Sequence, residues 1–264
     1  MNKRIAIIGG GNLGTAIAEG LINSGFSLPE HILITRRNVK SLASLQKKGV
    51  LVSDDNTEAV RFADLVILAV KPFQATDILN RLKNSLEKKH VLVSVVTGFT
   101  IDQIASSVAS DCTIVRAMPN TAIAIQQSMT CLAATGISGE QQRYIEDLFS
   151  QLGRVVWIDE KLMDAATVLG ACGTAYAMRY IRANIQGGIQ IGFDAATASL
   201  IAAQTVKGAA ELLLQKGAHP EQEIDKVTTP KGCTIAGLNE MEHQGFSSSL
   251  IKGIVASYDK IAKD

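Results

Sequence analysis

Short apolar runs alternate with segments whose apolar residues recur at helical spacing, from Ile5 to Ile158. Runs of this length next to glycine, proline and polar residues predict strands buried on both faces. The predicted strands are residues 5–8, 31–35, 50–52, 65–70, 90–95, 112–117, 128–135 and 154–158. The predicted helices are residues 15–22, 39–48, 58–62, 73–86 and 139–152, with a further helix that starts at Thr100 in a capping box with Gln103. Strands alternating with helices predict an α/β fold with a doubly wound, mostly parallel sheet.

The pattern changes at Lys161, after which no strand-like alternation remains. Residues 164–187 and 194–216 are predicted to be long helices rich in alanine and glycine. The sequence therefore predicts two domains, residues 1–160 and an all-α domain of residues 161–264. Helix faces built from small side chains bury little apolar area each. This favours a homodimer, or a higher oligomer built from dimers, over a monomer.

A glycine-rich turn joins the first strand to the first helix. It has the spacing Gly9-x-Gly11-x-x-Gly14, with Asn12 and Leu13 inside it. Gly9 allows the tight turn, Gly11 lets the backbone approach a pyrophosphate, and Gly14 lets the helix pack closely on the strand. The phosphates would meet the free N–H groups at the start of the helix. The turn predicts a Rossmann-type dinucleotide site, against the alternative of a glycine-rich turn without a ligand.

The second predicted strand ends at Thr35-Arg36-Arg37. NAD-binding domains usually place Asp or Glu near this point, where it binds the ribose 2′-hydroxyl. Here no acid would repel a 2′-phosphate, and two guanidinium groups can bind one. The predicted cofactor is NADP, used as NADPH, with NAD as a second possibility; the alternative is a pair of surface arginines that solvate a loop.

Composition and charge exclude several classes of function. A net charge of +1 gives no electrostatic case for binding nucleic acid or an anionic membrane. No apolar run approaches the roughly 20 residues of a membrane span, and residues 1–4 leave no room for a signal peptide. The four cysteines and four histidines are scattered, which predicts no metal site and a reduced, cytoplasmic protein.

A last informative segment lies near the C-terminus, at residues 226–238. Thr229 is predicted to be an N-cap, with Pro230 at the first helical position. Gly232 leaves the first turn bare, so its N–H groups are open to an anion of carboxylate size, and the Thr234 hydroxyl adds a donor or acceptor. The alternative is a well-capped helix without a ligand.

Taken together, these segments resemble the pyrroline-5-carboxylate reductases. The resemblance is carried by residues 9–14, Ala69-Val70-Lys71-Pro72, residues 116–121, residues 204–209 and, most specifically, residues 227–238. It covers almost the whole chain. It implies NAD(P)H-dependent reduction of 1-pyrroline-5-carboxylate to L-proline, with a helical dimerisation domain and an active site at the dimer interface.

The resemblance also implies roles for particular residues. Asn56 and the segment Ala69–Pro72 (Ala69, Val70, Lys71, Pro72) would hold the dinucleotide. Met118, Pro119 and Asn120 would lie by the nicotinamide. The substrate would be received by Thr229, Gly232, Cys233 and Thr234. Because a protonated cyclic imine accepts hydride readily, no catalytic histidine or carboxylate pair is needed. Thr234 is the candidate catalytic residue, orienting the ring nitrogen or relaying a proton to it.

The chain departs from the family pattern at several positions. Ala122 stands where the family usually has Pro, residues 169–176 replace a Ser-Gly-Ser-Gly-Pro-Ala-Tyr segment, and Lys231 stands where Gly is frequent. Changes at Ala171 and Thr174 leave open another cyclic imine or a small keto acid as substrate. A dinucleotide-binding dimer without catalysis is the alternative from a different class. A β-hydroxyacid dehydrogenase is disfavoured, because residues 174–182 offer no lysine as acid.

Overall fold

The computed structural model describes residues 3–109 and 111–261. Residues 1–2, on which the expectation about a signal peptide partly rests, lie outside that part. The chain divides into two compact units, one ending at Cys172 and the other starting at Gly173. Each unit is described by itself.

The first unit is built on one eight-stranded sheet with the order β3-β2-β1-β4-β5-β6-β7-β8. Only the pairing of β6 with β7 is antiparallel. The strands are β1 (Ile5–Ile8), β2 (Ile32–Thr35), β3 (Leu51–Ser53), β4 (Leu65–Leu68), β5 (Val91–Ser94), β6 (Thr113–Met118), β7 (Ser128–Ala134) and β8 (Gly153–Trp157). The predicted doubly wound, mostly parallel sheet is confirmed.

Helices cover both faces of this sheet. Alternate residues of β1 enter different apolar clusters: Ile5 and Ile7 on one face, Ala6 and Ile8 on the other. Strands buried on both faces read as unbroken apolar runs, which is why the sequence revealed them. The helices of this unit are α1 (Asn12–Asn23), α2 (Ala43–Lys47), α3 (Asn56–Phe62), α4 (Pro72–Leu82), α5 (Ile101–Ser107), α6 (Gly139–Ser150) and α7 (Met163–Ala166). The capping box of Thr100 and Gln103 at the start of α5 is confirmed.

The predicted helix of residues 164–187 is not one regular helix. After α7 the chain forms a π-helical segment, Thr167–Cys172, and only then the α-helix α8 (Gly173–Gln190). Within the segment, the carbonyl of Gly170 accepts a hydrogen bond from the Asn120 side chain. Single π turns of this kind often occur at functional sites. The apolar pattern could not reveal the widened turn, because its partner lies 50 residues away.

The second unit is entirely helical in the part that the structure describes. Its helices after α8 are α9 (Ala195–Lys216), α10 (Pro220–Lys226), α11 (Cys233–His243) and α12 (Phe246–Ile261). Of its described residues, only Ala198 and Ala202 are buried. Many large apolar side chains are exposed, among them Met178, Ile191, Leu200, Ile251 and Val255. None of the described helices combines the length and apolarity that crossing a bilayer requires.

Candidate functional site

The predicted cofactor residues of the first unit lie at one edge of the sheet. Strands β1, β2, β4, β5 and β6 run parallel, so their carboxyl ends share that edge. The glycine-rich turn follows β1, Thr35 ends β2, Ala69 follows β4, and Met118 ends β6. The order of strands reverses between β1 and β4. In open α/β sheets, ligands bind in the crevice at that point.

Gly9 and Gly14 are required by the packing of the turn itself. Gly9 has φ +112°, and a Cβ on it would lie 2.4 Å from the carbonyl oxygen of Ala69. A Cβ on Gly14 would lie 2.1 Å from the carbonyl oxygen of Gly9. Any other residue at either position would force backbone atoms apart. The turn is therefore held against β4 on one side and against α1 on the other.

Gly11 is different, because the protein leaves space around it. A Cβ built there meets no atom within 4 Å, and the residue is exposed. It is the N-cap of α1, and within the described residues no side chain caps that end of the helix. The amides of Asn12 and Leu13 thus begin the helix without a side-chain acceptor. Open space beside uncapped amides fits the pyrophosphate of a dinucleotide.

The ends of β2 and β3 form a tightly bonded corner. Thr35 is buried and its hydroxyl donates to Oδ1 of Asn56, at 2.6 Å. The N–H of Arg36 donates to the carbonyl of Ser53, and its guanidinium donates to the carbonyl of Gly10, at 2.9 Å. Arg37 is exposed. Of the two predicted phosphate ligands, Arg36 is thus bonded to the protein backbone.

The segment Ala69–Pro72 leads from the end of β4 into the first turn of α4, at the same edge of the sheet. The N–H of Ala69 donates to the carbonyl of Ile8 at 2.8 Å, which continues the pairing with β1 by one residue. Lys71 is the N-cap of α4 and Pro72 its first residue. Val70 is half-buried, whereas Lys71 and Pro72 are exposed. The structure brings Ala69 and Val70 next to Gly9, and the first turn of α4 begins just after them.

The turn after β6 is organised by Asn120. Its N–H donates to the Ser128 hydroxyl at 3.0 Å, its Oδ1 accepts from the N–H of Ala122, and its Nδ2 donates to the carbonyl of Gly170. Both ends of the side chain are therefore engaged inside the first unit. Asn120 orients the turn, and the adjacent Pro119 is buried.

Met118 is held from the neighbouring strand. It is buried, it lies opposite Cys131 in the antiparallel pair of β6 and β7, and it packs with Met163. Burial raises the pKa of the Cys131 thiol. Cys131 therefore behaves at neutral pH as a protonated apolar group that packs beside Met118.

Sequence reasoning missed a buried ion pair behind this turn. Arg116 is 3% exposed, and its guanidinium bonds Oε1 of Glu160 at 3.1 Å. The same carboxylate oxygen accepts the N–H of Ile101 at 2.7 Å, at the start of α5. The pair ties β6 to α5. Nothing in the spacing of Arg116 and Glu160, 44 residues apart, signals that they meet.

The predicted N-cap at Thr229 is wrong. Helix α11 begins at Cys233, with Gly232 as its N-cap. The N–H of Gly232 donates back to the carbonyl of Thr229 at 2.9 Å, and Lys231 takes a left-handed φ of +60°. This is a β-turn with positive φ at its third residue, as type II turns have. A residue with that φ cannot belong to the right-handed helix, so Pro230 lies in the turn.

The turn still presents the open helix start that the sequence predicted. Among the described residues, no side chain caps α11, and Thr229, Cys233 and Thr234 are exposed. A Cβ on Gly232 would lie 2.5 Å from Oγ1 of Thr229, so any larger residue there would have to displace the threonine hydroxyl. The start of α11 thus lacks a side-chain cap and is flanked by two exposed threonines, which suits a carboxylate.

Comparison with known proteins gives the same picture along the whole chain. A family model described as pyrroline-5-carboxylate reductase dimerisation matches residues 160–264, and one described as NADP oxidoreductase, coenzyme F420-dependent, matches residues 4–98. Pyrroline-5-carboxylate reductase 1 of Dictyostelium discoideum is 47% identical over 270 residues, covering 98% of this chain and 49% of that protein. This chain therefore spans about half the length of that relative.

Two further relatives match over nearly their full length. Pyrroline-5-carboxylate reductase 2 of Dictyostelium discoideum is 44% identical, with 99% of this chain and 93% of that protein covered. The crystal structure of Plasmodium falciparum pyrroline carboxylate reductase with NADP bound has a TM-score of 0.89 and 27% identity, and the match covers 98% of this chain and 97% of that one. On these matches, this chain belongs to the pyrroline-5-carboxylate reductase family.

Proposed function

We propose that this protein reduces 1-pyrroline-5-carboxylate to L-proline with NADPH. The observation that carries the proposal is the turn at Gly11, where open space meets the uncapped start of α1 at the crevice of the sheet. Family membership supplies the substrate class. A reductase needs both a dinucleotide site and a site for the imine, and the chain offers a candidate for each.

The residues at the sheet edge fit NADP, and NADP is bound in the related Plasmodium structure. Gly9, Gly11 and Gly14, with Asn12 and Leu13, would hold the pyrophosphate. Thr35 and Asn56, joined by their own hydrogen bond, would flank the ribose together with Arg37. When bound, the cofactor supplies the hydride for the imine carbon. Ala69–Pro72 and Met118–Asn120 would line the rest of the crevice.

The substrate would bind at the start of α11. Its carboxylate would accept hydrogen bonds from the free amides after Gly232, where the helix dipole favours an anion. Lys231 precedes these amides and adds a positive charge to the turn. Thr229 and Cys233 would contact the ring. With the carboxylate held there, the ring nitrogen would hydrogen-bond to the Thr234 hydroxyl.

Thr234 would act on the ring nitrogen rather than on carbon. If the iminium form binds, the hydroxyl accepts the N–H and orients the ring, and hydride addition neutralises the charge. If the neutral imine binds, the exposed hydroxyl donates its proton to the nitrogen while it takes one from solvent, and so relays a proton. Both roles require a hydroxyl, so Thr234→Ser should keep most activity, whereas Thr234→Ala should lower kcat by roughly 10- to 100-fold, the cost of one hydrogen bond to a charged group.

The decisive measurement is loss of NADPH absorbance when pyrroline-5-carboxylate is added to the purified full chain. We expect turnover with NADPH to exceed that with NADH. Other cyclic imines and small keto acids, tested in parallel, separate the proposed substrate from the alternatives. Tight NADPH binding without turnover on any of them would contradict the proposal and favour a non-catalytic dinucleotide-binding dimer. Equal kcat for Thr234→Ala and wild type from pH 5 to 9 would remove the role of Thr234.

We also propose that the enzyme is cytoplasmic and a homodimer. The four cysteines are far apart in the sequence and show no C-x-x-C spacing, which supports a reducing compartment. The match of residues 160–264 to a dimerisation family supports the dimer. The division into residues 1–160 and 161–264 stays a prediction.

A further inference from the structure

The middle glycine of the dinucleotide turn is bonded on both sides by consecutive residues. The N–H of Gly10 donates to the carbonyl of Thr35 at 2.7 Å, and its carbonyl accepts from the guanidinium of Arg36 at 2.9 Å. Arg36 is itself held by the bond from its N–H to the carbonyl of Ser53, at 3.0 Å. Two hydrogen bonds therefore hold the turn against the end of β2, one from the backbone of Gly10 and one from the Arg36 side chain.

Gly10 is also restricted by packing. A Cβ on Gly10 would lie 2.8 Å from a methyl group of Leu42, so the turn is packed on its far side as well. Gly10 sits directly between Gly9, which abuts Ala69, and Gly11, which faces open space. The bond from Arg36 thus sets the orientation of the peptide that precedes the phosphate position.

Arg37 offers a contrast one residue later. Both arginines are exposed, but across residues 3–109 and 111–261 the guanidinium of Arg37 has no hydrogen bond or ion pair. An arginine fork of this kind binds phosphate strongly. Two adjacent arginines that look equivalent in the sequence therefore differ in their hydrogen bonds: the guanidinium of Arg36 is bonded to the turn and that of Arg37 is not.

We propose that Arg36 is a positioning residue, which holds the dinucleotide turn through the Gly10 carbonyl, and that Arg37 alone distinguishes NADPH from NADH. The inference rests on the proposed use of NADPH. The pyrophosphate is common to both cofactors, so losing Arg36 weakens both equally. The 2′-phosphate belongs to NADPH only, so losing Arg37 weakens that cofactor alone.

The test is equilibrium binding of NADPH and NADH to the purified full chain, by calorimetric titration, for wild type, Arg36→Ala and Arg37→Ala. We expect Arg37→Ala to raise the Kd for NADPH by roughly 10- to 100-fold, the cost of one charged hydrogen-bonding group, with the Kd for NADH changed less than about twofold. We expect Arg36→Ala to raise both Kd values by similar factors, about tenfold. Arg36→Lys keeps a donor for the Gly10 carbonyl and should restore part of the binding of both cofactors.

An Arg36→Ala variant that loses affinity for NADPH alone would make Arg36 a 2′-phosphate ligand and overturn the inference. An Arg37→Ala variant whose affinity falls equally for NADPH and NADH would also overturn the inference. Thermal unfolding without cofactor checks that each variant folds, and if Arg36→Ala does not, Arg36→Lys and Arg36→Gln carry the comparison. Binding is read without turnover, so a wild type that binds NADPH but reduces no imine contradicts only the proposed function.

Discussion

Gly11 and Gly14 belong to one turn, but a side chain is excluded for a different reason at each position. At Gly14 the neighbour is the protein, since a Cβ would strike the carbonyl of Gly9. At Gly11 no protein atom is close, and its φ of −83° is open to any residue. We infer that Gly11 serves a ligand and Gly14 serves the fold.

These two positions give a matched pair of substitutions. Gly14→Ala should lower the free energy of unfolding by about 3 kcal/mol or more, because backbone must move. Gly11→Ala should change it by less than about 1 kcal/mol and raise the Kd for NADPH by roughly tenfold or more, because the methyl group fills the approach to the pyrophosphate. Urea unfolding and NADPH titration measure the two effects. Unchanged NADPH affinity in Gly11→Ala would contradict the proposed site.

Two helices of the second unit differ in how their N-termini are capped. The N-cap of α11 is Gly232, which leaves the first amides of the helix without a side-chain acceptor, whereas the N-cap of α9 is Asp194, whose carboxylate accepts from the N–H groups of Ala196 and Thr197. Hydrogen bonding from Thr197 lowers the pKa of Asp194. An open helix start can receive a ligand, and a capped one stabilises the helix.

The cap at Asp194 makes stability depend on pH. Its pKa is lower in the folded state, so the cap stabilises the protein above the unfolded-state pKa, and the effect is lost as pH falls through the folded one. Asp194→Ala should lower Tm at pH 7, and the difference from wild type should shrink below about pH 4. Asp194→Asn keeps an acceptor and should retain most of the cap without this pH dependence. A constant Tm difference between wild type and Asp194→Ala from pH 7 to 3 would exclude the charged cap.

At the scale of the whole molecule, the two units differ in how they bury apolar surface. The first has two continuous apolar clusters, one on each face of its sheet. In the second, the described residues bury only two alanines while large apolar side chains stay exposed on several helices. A helical unit with so little core is expected to bury those side chains against a second copy.

We expect the 28.1 kDa chain to have at least twice that mass by light scattering at micromolar concentration. Because dimerisation stabilises the folded state by mass action, Tm should rise with protein concentration. Differential scanning calorimetry over a hundredfold dilution measures this. A mass of one chain together with a Tm independent of concentration would exclude the homodimer.

The sequence alone determined the α/β fold, the strands and the glycine-rich turn, because buried parallel strands are continuous apolar runs and a dinucleotide turn needs glycine at set spacings. It also indicated helices after residue 161. Only the tertiary structure revealed three contacts. They are the hydrogen bond from Arg36 to the Gly10 carbonyl, the ion pair of Arg116 and Glu160, and the hydrogen bond from the Asn120 side chain to the Gly170 carbonyl. These contacts join residues 26 to 50 positions apart, and local propensity carries no record of them. The N-cap of α11 is Gly232 and not the predicted Thr229, because Lys231 adopts a left-handed conformation, which residue preferences disfavour for lysine.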